Sequence, residues 1–126
     1  MKTIITTANA PAAIGPYSQA VQINDLLFVS GQIPMDPKNG DLVQGDIEAQ
    51  TKQVLENLKA IIEAAGMGLQ NVIKCSCFLK DMDDFARFNA VYETYFQQDP
   101  PAREAVEIAR LPKDVHIEIS AICGQE

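Results

Sequence analysis

The last strand-like segment of the chain, residues 115–123, alternates almost perfectly between apolar and other side chains. Its odd positions from 117 to 123 are all apolar: Ile117, Ile119, Ala121 and Cys123. Its even positions are His116, Glu118, Ser120 and Ile122. Because side chains alternate between the two faces of a strand, this pattern predicts a sheet with one fully apolar face. That face requires a cover, and two helical patterns elsewhere in the chain can provide it.

The first helical pattern begins after Asp46, a favourable N-cap residue, and ends at Gly66. Its apolar residues recur at helical spacing: Ile47, Val54, Leu55, Leu58, Ile61, Ile62 and Ala65. The second pattern follows Asp83 or Asp84, either of which is suited to cap it. Its aromatic residues form one stripe: Phe85, Phe88, Tyr92, Tyr95 and Phe96. Such a stripe is more typical of a packed core than of a cofactor site.

Five further segments have the apolar composition and flanking turn residues of strands: 2–6, 19–23, 26–30, 72–80 and 102–110. Asn24-Asp25 between two of them predicts a tight hairpin. The resulting order β-β-β-α-β-α-β-β predicts a single α+β domain over residues 1–126. We expect a six-stranded mixed sheet with both helices on one face.

Charge, hydrophobicity and cysteine content argue against several classes of function. The net charge is −7 and no cluster of Lys or Arg occurs, which disfavours binding to nucleic acid. No apolar run approaches the roughly 20 residues of a membrane helix, and no secretory signal is recognisable, so we expect no membrane association. Three cysteines fit reduced thiols in a cytoplasmic protein. Cys75, Cys77 and His116 could suggest a metal site, but C-x-C on a strand is more typical of small buried side chains, and we expect no metal.

Alternation also gives an expectation for Arg103. In segment 102–110, Val106 and Ile108 make the more apolar face, which predicts that Arg103 points with Glu118 to the face that the helices leave open. Further apolar residues are expected on that face: Phe78, Ala105, Ala109 and Ile122. A half-apolar face of this kind needs a cover, so we expect a homo-oligomer with both charged groups near a subunit boundary.

The same residues have simpler interpretations. Arg103 could form an ion pair with Glu107, two residues further on. Glu118 could be a partly buried carboxylate that pairs with a Lys or Arg. The residues by themselves therefore predict an Arg and a Glu on one oligomer-facing surface, and no particular reaction.

Four stretches resemble the YjgF/RidA family of small trimeric proteins. They are "APAAIGPYSQAV", "FVSGQIP", "FNAVYETYF" and the segment "PAREAVEIARLPKDVHIEISAI", and together they run from Ala10 to Ile122. The resemblance implies a chorismate-mutase-like homotrimer (bacillus type) with clefts between subunits. It also implies hydrolytic deamination of reactive 2-imino acids or their enamines, such as 2-aminoacrylate and 2-iminobutanoate, to 2-keto acids and ammonia, without a cofactor.

The resemblance also implies roles for individual residues. The arginine that binds the substrate carboxylate corresponds to Arg103, and the acidic residue near the reacting carbon to Glu118. The cleft is further lined by residues that correspond to Tyr17, Ser30, Gly31 and Asn89. These types suit the chemistry, because a guanidinium fixes a carboxylate through two parallel donors and a carboxylate can orient a water and relay a proton.

One departure concerns the residues after the arginine. The family usually has Ser-Cys there, whereas this chain has Glu104-Ala105, so a thiol is lost and Glu104 could compete with the substrate if it turned towards Arg103. Two alternatives stay open: a non-catalytic regulator that binds small keto or amino acids, or a protein partner, in the same cleft, and an endoribonuclease or translation inhibitor. The net charge of −7 argues against the second alternative.

Overall fold

A computed structural model describes residues 1–126, and its elements follow the predicted order. The strands are β1 (Thr3–Ile5), β2 (Ala20–Ile23), β3 (Leu26–Gln32), β4 (Val72–Leu79), β5 (Ala102–Glu107) and β6 (Ile117–Gly124). The helices are α1 (Ile47–Ala64) and α2 (Phe85–Tyr95), and short 3-10 turns cover residues 69–71, 82–84 and 112–114. Neither helix combines the length and the apolar character that crossing a bilayer requires.

The strands form one mixed sheet in the order β1-β2-β3-β6-β4-β5. Neighbours are antiparallel except β4 and β5, which are parallel and are joined through α2. This follows from geometry, because two parallel strands need a long crossover. The tight turn between β2 and β3 includes Asn24, whose φ of 52° lies in the left-handed region that asparagine tolerates. The predicted α+β architecture with a six-stranded sheet is confirmed.

Helix α1 has the predicted ends and the predicted buried stripe. The Asp46 side chain accepts a hydrogen bond from the backbone N of Ala49 at 3.0 Å, and Gly66 ends the helix with a φ of 81°. The buried stripe includes Val54, Leu55, Leu58, Ile61 and Ile62. Full burial of each such side chain contributes about 1.5–3 kcal/mol, so the stripe fixes α1 on the sheet.

Helix α2 begins differently from the prediction. Asp84 occupies the N-cap position but makes no capping hydrogen bond through its side chain. Asp81 instead caps the preceding turn by accepting a hydrogen bond from the backbone N of Asp83 at 2.8 Å. The aromatic stripe of α2 packs in the core, as expected, with Phe88 fully buried and Tyr92 nearly so.

The alternation in β6 correctly predicted which face of the sheet the helices cover, since its odd positions are buried on the helix side. The prediction for β5, however, was wrong. Arg103 is paired with Cys75 and Ala105 with Cys77, and both thiols are fully buried on the helix side. Arg103 and Ala105 therefore lie on the helix side, opposite to Glu118.

Two features of β5 explain this error. It is the edge strand, where a polar side chain on the helix side can still reach water, and Arg103 is exposed there. The open face is itself apolar, so an apolar residue such as Val106, which is paired with Phe78, does not distinguish the two faces. The strand also ends at Glu107, so alternation does not extend to Ala109.

The open face of the sheet carries an apolar surface. Phe78 and Ile122 lie on it, as predicted, opposite Glu118 and Phe28 in the register of the strands. Its exposed apolar side chains include Ile4, Ile23, Leu26, Phe28 and Val106. We call these five residues the open-face patch. Exposed apolar side chains on one face of a sheet are typical of an interaction surface.

Candidate functional site

A cavity of about 460 Å³ lies where the end of β3 meets the start of β6. The loop at residues 11–17 and the turn at 112–113 close its other sides. Four of the predicted site residues line it: Tyr17, Ser30, Gly31 and Glu118. The rest of the wall is mainly apolar, which is typical of small-molecule sites with a few polar groups.

A β-bulge shapes the floor of this cavity. The pairing of β3 with β6 shifts between Val29 and Gln32. Two residues of β3, Ser30 and Gly31, therefore lie opposite a single residue of β6. A Cβ atom on Gly31 would lie 2.9 Å from Cδ of Glu118, closer than carbon atoms tolerate. The absence of a side chain at Gly31 therefore gives the Glu118 carboxylate its place in the cavity.

Glu118 is half-buried and takes part in none of the four salt bridges of the chain. Burial alone raises the pKa of its carboxyl above the ordinary value of 4.5. A carboxyl group with a raised pKa and free lone pairs is suited to exchange a proton with a ligand or a water in the cavity.

The wall that carries Tyr17 is held by a buried glutamine. The Gln19 amide accepts a hydrogen bond from the backbone N of Thr7 at 2.7 Å and donates to the carbonyl oxygens of Ala10 and Pro11 at 3.3 and 2.8 Å. These bonds fix the segment that leads into the exposed ring of Tyr17. Sequence reasoning missed Gln19, because a glutamine at the start of a strand gives no sign that its amide is buried.

Ser30 and Tyr17 are both held in place by backbone contacts. The Ser30 hydroxyl donates to the carbonyl oxygen of Ser18 at 2.6 Å, which leaves its lone pairs available to a ligand. The Tyr17 hydroxyl accepts a long hydrogen bond of 3.4 Å from the backbone N of Ile14. Both hydroxyls can therefore still bind a polar ligand in the cavity.

Arg103 and Asn89 form a second group at a different place. Nη1 of Arg103 donates to Oδ1 of Asn89 at 2.8 Å, and both residues line a shallow pocket beside α2. The guanidinium carbon of Arg103 lies 4.8 Å from the centre of the Tyr92 ring, 5.5 Å from that of Phe85 and 5.7 Å from that of Phe88. The alternative interpretation, an ion pair with Glu107, does not hold in this chain: the Glu107 carboxylate instead accepts a hydrogen bond from the backbone N of Met82 at 2.8 Å.

The six predicted site residues thus fall into two groups on opposite sides of the sheet. One group contains Glu118, the other contains Arg103, and a single chain does not bring the two charges together. Each group has the side chains to bind part of a small anionic ligand.

Glu104 points away from Arg103. It lies on the open face, where its carboxylate forms a salt bridge with Lys74 at 3.0 Å and accepts a hydrogen bond from the Ser76 hydroxyl. The Ser76 and Lys74 hydrogen bonds lower the pKa of Glu104. This carboxylate therefore cannot compete with a ligand for Arg103 of the same chain.

The three cysteines are buried and free. Burial raises the pKa of each thiol, to about 12 for Cys77 and Cys123, which keeps them unreactive at neutral pH. No group of three or more His, Cys, Asp or Glu side chains is arranged to hold a metal ion. The cysteines are thus small core side chains.

Comparison with known proteins adds independent information. Residues 7–125 match the family described as Endoribonuclease L-PSP. A RutC family protein of Pyrococcus horikoshii is 60% identical over 100% of both chains. The 2-iminobutanoate/2-iminopropanoate deaminase of Salmonella typhimurium is 53% identical over 97% of each chain.

Solved structures agree with these sequence comparisons. The YjgF gene product of E. coli has a TM-score of 0.95 at 50% identity, covering 98% of this chain and 99% of that one. E. coli TdcF with bound serine has a TM-score of 0.95 at 45% identity with the same coverage. The fold and nearly the whole length of the chain are shared with these proteins.

Proposed function

The chain belongs to the Endoribonuclease L-PSP family, which is the YjgF/RidA family of the sequence motifs, and we propose that it hydrolyses reactive 2-imino acids to 2-keto acids and ammonia. The observation that carries this proposal is Glu118, an unpaired and half-buried carboxylate beside Gly31 in a cavity of about 460 Å³. The relatives named as 2-iminobutanoate/2-iminopropanoate deaminases, at 52–53% identity, support the choice of substrate class.

In the proposed reaction, the substrate is the protonated imine, and Glu118 accepts a proton from a water molecule while the water oxygen bonds to the iminium carbon and the C=N π electrons move to nitrogen. Glu118 then returns that proton to the nitrogen of the tetrahedral intermediate. The C–N bond breaks, ammonia leaves, and the remaining hydroxyl proton passes to the carboxylate as the ketone forms. Orientation provides most of the benefit, because imines already hydrolyse in water.

The substrate carboxylate needs a cation, and we propose that Arg103 of a second copy of the chain supplies it. Arg103 and Glu118 of one chain lie on opposite sides of the sheet, so a site with both groups needs two copies. The open-face patch supports self-association, since it leaves apolar side chains exposed over the sheet. A homotrimer with three shared clefts is the proposed assembly.

Complementation between two inactive variants tests the shared site. At 2-aminoacrylate concentrations below KM, Arg103→Ala and Glu118→Gln are each expected to reduce its diversion from a semicarbazide trap to pyruvate by about 10-fold or more. If the two groups come from different copies, random mixing of the variants restores about one quarter of the sites. Mixtures that form hybrid oligomers without regaining activity would show that both groups must come from one chain.

Binding without turnover is the outcome that favours a regulator. Saturable binding of 2-ketobutyrate by a protein that leaves the trap unaffected would replace the enzymatic proposal. Light scattering on the same samples measures the number of copies, and a monomer with full activity would contradict the shared site.

A further inference from the structure

Arg103 differs from the other two arginines of the chain. Arg87 pairs with Glu48 at 2.6 Å, and Arg110 pairs with Asp114 at 2.6 Å. Arg103 has no carboxylate partner, although the chain contains 17 acidic residues. Two of them, Glu104 and Glu107, are close in sequence but bond elsewhere. The guanidinium is therefore fixed in place by groups that leave its charge uncancelled.

The fixing groups come from one face of α2. Phe85, Phe88 and Tyr92 are spaced at i, i+3 and i+7, and their rings contact one another with centroids 5.8 and 5.6 Å apart. All three ring centres lie within 6 Å of the guanidinium carbon, the range in which an aromatic face attracts a cation. Because Phe88 and Tyr92 are buried in the core, this aromatic surface is rigid.

Asn89 completes the arrangement from the same helix. Its neutral amide oxygen accepts one of the five N–H donors of Arg103, at 2.8 Å. An aspartate there would form an ion pair and cancel the charge. The asparagine instead sets the orientation of the guanidinium plane, while Arg103 remains exposed with its other donors accessible.

We propose that Phe85, Phe88, Tyr92 and Asn89 are positioning residues that hold Arg103 oriented but unneutralised, so that the carboxylate of the ligand is its counter-ion. This inference rests on the proposed function, and it changes the role of Asn89. The family resemblance implied that Asn89 contacts the ligand, whereas here it acts through Arg103. This arrangement of side chains around Arg103 selects ligands with a carboxylate over uncharged analogues.

Supplying the missing carboxylate tests the proposal. Asn89→Asp is expected to weaken binding of 2-ketobutyrate about 10- to 100-fold, since an internal counter-ion competes with the ligand. The uncharged analogue 2-ketobutyramide should bind with unchanged affinity. Ala90→Asp is the matched control, because it adds the same charge at the next, exposed position of α2 and should change binding less than about 3-fold.

A second pair of variants tests the aromatic surface. Phe85→Leu keeps an apolar side chain but removes one ring, and we expect binding of 2-ketobutyrate to weaken about 3- to 10-fold. Phe85→Tyr keeps the ring and should restore wild-type affinity. Circular dichroism melting of each variant separates these effects from loss of the fold.

The outcomes separate this inference from the proposed function. If Arg103→Ala weakens binding of 2-ketobutyrate about 10-fold or more but Asn89→Asp leaves it unchanged, the positioning proposal is overturned and the role of Arg103 stands. If Arg103→Ala itself leaves binding unchanged, both fail. Equal weakening of 2-ketobutyrate and 2-ketobutyramide by Asn89→Asp would also overturn the proposal, because it would show general damage to the site.

Discussion

The two groups of site residues use opposite means to leave a charge without a partner. Glu118 sits in a cavity, where burial raises its pKa and no cation of the same chain compensates. Arg103 lies exposed at the sheet edge, where aromatic faces and one amide oxygen hold it. The Glu118 carboxylate is thereby prepared to exchange a proton, and the Arg103 guanidinium to bind an anion. Because the sheet separates the two groups, the proposed site that contains both of them needs a second copy of the chain.

The first test of this division is Glu118→Gln, which removes proton exchange but keeps the shape of the side chain. We expect kcat to fall about 10²- to 10⁴-fold, the usual contribution of general acid–base catalysis, with little change in KM. Trapping assays with semicarbazide over a range of substrate concentrations measure both constants.

Glu104→Gln is the matched control, because this second carboxylate of the open face is paired with Lys74 and does not line the cavity. It should leave kcat within about 2-fold of the wild type. An equal loss of kcat in both variants would mean that the assembly, and not proton exchange at Glu118, is affected.

The converse test is Arg103→Ala, which should act on binding. Loss of charge-assisted hydrogen bonds worth about 1.5–3 kcal/mol predicts a KM increase of roughly 10- to 150-fold, and a smaller effect on kcat. Arg103→Lys should recover only part of the loss, because an ammonium lacks the planar fork. Arg87→Ala, which removes an arginine already paired with Glu48, should leave KM unchanged.

The comparison also shows what the sequence could predict. The elements and their order followed from strong local signals, such as the alternation of β6 and the cap residues Asp46 and Gly66. The face of the sheet on which Arg103 lies could not be predicted from the sequence of β5. Both faces of this sheet are apolar, so an edge strand shows no clear alternation of apolar and polar residues. Sequence reasoning also assigned the aromatic stripe of α2 to the core alone, although its edge contacts Arg103.

The residues of the cavity were only partly predictable. Glu118 was placed correctly on the open face, since every odd position of β6 is buried. The bulge at Ser30 and Gly31 arises from pairing with β6 across a long sequence separation, and nothing local specifies it. The same applies to Gln19, whose bonds reach back to Thr7 and Pro11.

A smaller change should move the Glu118 carboxylate without removing it. Gly31→Ala places a methyl group 2.9 Å from Cδ of Glu118, and the flexible side chain can yield. We expect kcat to fall roughly 10-fold, below the 10²-fold that a 1 Å misplacement can cost, with little change in melting temperature. Gly124→Ala is the control, since its methyl group would meet only side chains and backbone remote from the cavity. Similar kinetics for both variants would contradict the role assigned to Gly31.

The test with the smallest expected effect measures how the free energy of unfolding and kcat/KM depend on pH. Burial raises the pKa of Glu118 above its unfolded value of 4.5, so its ionised form costs folding free energy. The folded state binds more protons between 4.5 and the raised pKa, and the free energy of unfolding therefore decreases as pH rises through that window. Activity should show the opposite slope, because kcat/KM falls as pH drops through a midpoint above 4.5 and the general base becomes protonated.

Denaturant titrations and rate profiles from pH 4 to 8 measure both slopes, and Glu118→Gln should lack the stability slope. An acidic limb with its midpoint below 4.5 would mean that a cation, such as Arg103 of a second copy, outweighs burial at this carboxylate.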